Sequence, residues 1–119
     1  MKQAKNVSIS VGGNIKEEAT KRFVEAWHRA EKGQRFQERH LAFENWDALA
    51  RILTVKRMEL LHYVHRHEVE SVRALAKALK RDYSNVHGDV QALAAAGLLD
   101  TEGGAVRADY DAIETRIAI

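Results

Sequence analysis

The chain has 119 residues, 45% apolar and 30% charged, with a formal net charge of +2 at neutral pH and a pI near 9.0. That is room for about one small folded domain rather than a disordered segment. With no cysteine, disulfides, thiolate catalysis and iron–sulfur ligation are excluded, and no run nears the ~18 apolar residues of a membrane span.

Val7, Ile9 and Val11 alternate with Ser8 and Ser10, which predicts a short half-buried strand ended by Gly12-Gly13. From Lys16 to Lys32 the period lengthens: Ala19, Phe23, Ala26, Trp27 and Ala30 form one stripe of a helix that Gly33 can stop, and Glu17 and Glu18 suit its first turn. Residues 35–43 read as a second strand with Leu41 and Phe43 on one side. Asn45 then caps a helix over Trp46–Leu53, with Leu49, Ile52 and Leu53 inward.

Thr54 is an N-cap for Val55–His67, whose Met58, Leu60, Leu61, Tyr63 and Val64 make a broad apolar face. Ser71 caps Val72–Lys80, burying Val72, Leu75, Ala76 and Leu79. Asp82 caps a helix reaching about Ala96, with Val86, Val90, Leu93 and Ala94 inward and Gly97 closing it. Leu98–Thr101, the Glu102-Gly103-Gly104 turn and Ala105–Ala108 read as a hairpin. Ile113, Thr115, Ile117 and Ile119 alternate with Glu114, Arg116 and Ala118 in a last strand.

The ladder of Leu75, Leu79, Val86, Val90, Leu93 and Leu98-Leu99 leaves only a tight turn between two short helices, followed at once by a hairpin. Helix, turn, helix, hairpin is the order of a winged helix-turn-helix. The fold class expected is α+β, mainly helical. A winged helix-turn-helix over 54–119 follows an amino-terminal strand–helix–strand extension over 1–53.

Residues 54–108 resemble winged-helix bacterial and archaeal regulators of the broad MarR/ArsR-like class. The likeness is greatest to a family of small predicted transcriptional regulators, and is carried by Leu75-Ala76 and by Arg81-Asp82-Tyr83-Ser84-Asn85-Val86-His87. The resemblance implies double-stranded DNA as partner and a repressor role. By analogy with antitoxin-type members, it also implies a small toxin protein as partner and repression of the chain's own promoter.

The side chains themselves suit that chemistry. Outside the apolar ladder, the helix from Asp82 carries Tyr83, Ser84, Asn85, His87, Gly88 and Gln91. Asn and Gln can pair two-fold with adenine, and Ser, Tyr and His reach phosphates or single base edges. Tyr83, Ser84, Asn85, His87 and Gln91 are therefore the base-reading candidates. Arg73, Lys77, Lys80 and Arg81, with Arg107 on the hairpin, are the phosphate candidates. Asp82 reads as a cap, since a carboxylate facing phosphates is repelled.

A single recognition helix reads half a site, so a homodimer on a near-palindrome is expected. Val7, Ile9, Phe23 and Trp27 are assigned to its interface, against the alternative that they pack on the chain's own core. A second reading is a protein-interaction module that uses the winged helix as scaffold. Its amino-terminal half, or its acidic tail with Asp109, Asp111 and Glu114, would then hold a basic partner such as a small toxin.

Other chemistries find little support. His62, His65 and His67, with Glu68 or Glu70, approach a metal-ligand grouping, but histidines near a helix C-terminus also suit its dipole, and no metal is assigned. Gly12-Gly13-Asn14 lacks the Lys-Ser/Thr of a phosphate loop. No nucleophile–base set is recognisable, so neither an enzyme nor a cofactor is expected. No apolar run follows the first lysines, so no signal peptide is expected and the cytoplasm is the expected compartment.

Overall fold

The computed structural model describes residues 5–13, 20–25, 27–28 and 37–119. It is an α+β protein that divides into two compact units: Met1–Leu49 together with Tyr110–Ile119, and Ala50–Asp109. The sequence division at 53/54 differs, because the last strand returns to the first unit.

In that unit, strands β1 (Lys5–Val11) and β2 (Gln37–Phe43) are joined by a connection containing helix α1 (helical residues 20–25 and 27–28). Strand β3 (Ala112–Ile117) completes a parallel sheet of order β2-β1-β3. Val7 faces Arg39 on one side and Ile113 on the other, and Val11 faces Phe43 and Ile117. The Gly33 stop lies outside the described residues.

The strand expected to be half-buried is buried on both faces. Val7, Ile9 and Val11 form an apolar face, and Ser8 and Ser10 are buried on the other. Central strands of parallel sheets lose both faces to packing, and the serine hydroxyls there need partners. Arg22 on α1 supplies them, donating from Nη1 to Ser8 Oγ (3.1 Å) and from Nη2 to Ser10 Oγ (3.0 Å). Ser8 Oγ also lies 3.1 Å from His40 Nδ1 on β2.

Helix α2 (Trp46–Ile52) begins at Asn45, whose Oδ1 accepts the Ala48 N–H at 2.9 Å. The second unit is built on helices α3 (Val55–Arg66), α4 (Val72–Leu79) and α5 (Tyr83–Ala95). Thr54, Ser71 and Asp82 cap them, accepting the N–H groups of Arg57, Ala74 and Asn85. Leu60, Leu61 and Val64 from α3, Leu75 and Ala76 from α4, and Val86, Val90 and Leu93 from α5 are buried, as are Leu98, Leu99 and Val106.

Two backbone features make the sharp turns. Lys80 closes α4 in the left-handed region (φ 55°), and the following Arg81 N–H returns to Ala76 O at 3.0 Å. This is a Schellman-type ending in which lysine stands where glycine is usual. In the turn after residue 101, Gly103 (φ 63°) and Gly104 (φ 85°) sit between Glu102 O and Ala105 N, 3.2 Å apart, the signature of a type I′ turn. The two expected hairpin strands shorten to one antiparallel bridge, Asp100 to Arg107, beside a second from Val69 to Val106.

Replacing Arg22 by Met takes its two donors from the buried hydroxyls of Ser8 and Ser10, leaving Ser8 its His40 contact, and should cost about 1–3 kcal/mol of stability. Adding Ser10→Ala should recover part of that loss, and urea unfolding of the wild type and the two variants measures both steps.

Candidate nucleic-acid interface

Helix α5 carries the site because its cap and its apolar ladder fix which side turns outward. Val86, Val90 and Leu93 are inward, while Tyr83, Ser84, Asn85, His87, Gly88 and Gln91 are all exposed. At about 100° per residue, Ser84, Gly88 and Gln91 share the central outward stripe. Tyr83 and His87 lie on one flank and Asn85 on the other. A Cβ placed on Gly88 would meet nothing within 4 Å, so the middle of the stripe is open.

One flank is an ordered ladder of rings. The Arg73 guanidinium, from α4, lies over the Tyr83 ring at 5.4 Å from its centroid. His87, one turn along α5, sits 5.8 Å from the same ring at a 33° tilt. Arg73 thus has its charge at the surface and its orientation set by an aromatic face. Lys77 and Lys80, on and just after α4, are also exposed.

Arg81 departs from its expected role. Its Nη2 donates to Asp89 Oδ2 at 2.8 Å, and Arg57 Nε donates to Asp89 Oδ1 at 3.0 Å. The three side chains retain only 15–20% of their exposure. Arg57 Nη1 further donates to the Arg51 and Ile52 carbonyls at 2.9 and 3.1 Å. Arg81 is therefore a structural cation that locks α5 to α3 and to the end of α2, and its guanidinium is spent on a carboxylate rather than offered to a phosphate. Sequence reasoning passed over Arg57 and Asp89. The available signal was an acid flanking the apolar ladder of a helix assigned to a polyanion.

Arg107 is exposed, but it shares a surface depression with Asp100, Glu102 and Asp109. Those carboxylates lower the local potential that a phosphate would meet. Val7 and Ile9, assigned to a dimer interface, are each 1% exposed within the single chain, so they have no surface to give to a second copy. Phe23 and Trp27 are 72% and 60% exposed and do have it.

The histidines near the end of α3 are engaged separately. His65 Nδ1 donates to Ala108 O at 3.0 Å, whereas His67 donates to Tyr63 O at 3.0 Å and stacks on the Tyr63 ring at 4.1 Å. Among the described residues no group of three or more His, Asp or Glu is placed to hold a metal, and no helix is long and apolar enough to cross a membrane.

The chain belongs to the family HVO_A0114, whose model matches residues 52–115, just over half of its length. No curated protein and no solved structure matches it.

Removing the Asp89 carboxylate leaves two guanidinium groups facing each other in a half-closed site. Asp89→Ala should lower stability by about 2–4 kcal/mol, read as a fall in the urea midpoint. A loss below about 1 kcal/mol would show that the ion pairs do not hold α5 in place.

Proposed function

We propose that this chain is a sequence-specific double-stranded DNA-binding regulator of transcription, a repressor, built as a winged helix-turn-helix and acting as a homodimer on a near-palindromic site. The observation that carries the reading is the outward stripe of α5. It is uncharged and rich in hydrogen-bonding groups, and Arg73, Lys77 and Lys80 stand on the preceding helix and turn. Of the two carboxylates on or beside α5, Asp82 is spent on the helix cap and Asp89 on two arginines.

On this reading Gln91 and Ser84 meet base edges in the major groove, with His87 and Tyr83 on one side and Asn85 on the other. Arg73, Lys77 and Lys80 neutralise phosphates. The antiparallel bridge at Asp100 and Arg107 and its glycine turn form a short wing. Such a wing, ringed by acids, adds little affinity, so two subunits are needed for a tight complex. The exposed Phe23 and Trp27 leave further apolar surface open to a partner.

A second reading rests on the exposed acids Asp109, Asp111 and Glu114, which suit a small basic protein such as a toxin. Selection of bound duplexes from a random pool separates the two. Enrichment of a two-fold-related motif supports the regulator. No enrichment at low salt, with a basic protein co-purifying from the native host, supports the interaction module.

Within the regulator reading, Gln91→Ala should cost about 1–3 kcal/mol at the selected site and relax preference at one position per half-site. Lys77→Ala should weaken binding to all sequences alike and lower the salt slope by about one per subunit. Titration against cognate and scrambled duplexes at several salt concentrations distinguishes these patterns. Gly88→Ala should stabilise the free protein by about 0.5–1 kcal/mol while weakening the complex, because the new methyl group stands where the helix approaches the groove. Thermal unfolding paired with a binding titration tests that opposition of signs.

A further inference from the structure

Strand β3 is an edge of the sheet, and its side chains are exposed on both faces except for the partly covered Ile113. An edge of this kind offers a row of backbone donors and acceptors to another strand. Ala118 gives its N–H to Val11 O at 2.9 Å, so the even-numbered residues of this segment direct their backbone groups toward β1. By alternation, Ile113, Thr115 and Ile117 direct theirs away from the sheet.

We propose that β3 is the interface between two copies of this chain, pairing antiparallel with its own copy about a two-fold axis at Thr115. This register sets Glu114 against Arg116 of the second copy, and Arg116 against that copy's Glu114. On the other face it sets Ile113 against Ile117, and Thr115 against Thr115. The residues with outward backbone groups become the hydrogen-bonded pairs. Glu114 and Arg116 fall on the non-hydrogen-bonded pairs, where opposed side chains lie closest. The guanidinium of Arg116, with five donors, can reach the opposing carboxylate while keeping a contact in its own chain.

The charge order selects the register. Moving the axis to Glu114 sets glutamate on glutamate, and moving it to Arg116 sets arginine on arginine, so both neighbouring two-fold registers are repelled. The product is a continuous six-stranded sheet in place of two three-stranded ones, well within the usual size of sheets.

The pairing deepens the dimer of the proposed function, and its test contains no DNA, so its failure leaves the assignment of α5 standing. The measurement is the molar mass of the full chain by size-exclusion chromatography with light scattering, over a range of concentrations. The wild type should be a dimer, and Glu114→Arg or Arg116→Glu alone should weaken dimerisation at least about tenfold. An equimolar mixture of these two variants should form a heterodimer, because every opposed pair is then of opposite charge. The double variant should dimerise like the wild type. As the chain has no cysteine, Thr115→Cys should give a single disulfide-linked dimer under mild oxidation. A monomeric wild type at about 100 μM, dimers indifferent to either reversal, or a mixture that stays monomeric would each overturn the proposal.

Discussion

The arrangement of the second unit depends on one carboxylate. Asp89 accepts from Arg57 on α3 and from Arg81 in the turn before α5, and Arg57 also reaches the last carbonyls of α2. Apolar burial alone fixes which side of α5 is inward but leaves the helix free to slide and roll over its neighbours. Two directional, charge-assisted contacts on one flank remove that freedom. Pinning that flank also fixes where the outward stripe of α5 stands. A mostly buried carboxylate is costly when unpaired. Here it is neutralised twice over, and the trio keeps a net positive charge.

The turn that carries Arg81 has its own constraint. Lysine in the left-handed region is disfavoured by about 1–2 kcal/mol relative to the right-handed one, and Lys80 adopts it to end α4 sharply. A glycine there would relieve the backbone but remove a surface cation beside the start of α5. The residue present gives up local stability and keeps a charge at the surface.

How much of this could be read from the sequence follows from the range of each interaction. Thr54, Ser71 and Asp82 act on N–H groups three residues away, so their capping roles are visible locally. The inward and outward sides of α5 follow from helical periodicity for the same reason. The Arg57–Asp89 pair spans 32 residues and has no local signature, so Arg81 was expected to be a free phosphate contact. The serines of β1 looked solvent-facing because alternation cannot foresee an arginine from α1 covering them. The last strand was legible as a strand, but its partner was not. Parallel pairing between β1 and β3 leaves no turn sequence between them to announce it. The hairpin was foreseen from its glycines, yet their turn sustains only one bridge between the two expected strands.

That parallel pairing has a consequence for the order of assembly. Residues 50–109 are continuous and hold their own buried side chains, so they can collapse as soon as they leave the ribosome. The sheet has to wait. Strand β1 is made before the whole of residues 50–109 and β3 after them, so β1 waits through the synthesis of that unit for the strand that covers one of its edges. Closing so long a loop is slow. Over that interval Val7, Ile9 and Val11 form an apolar segment in need of protection from aggregation.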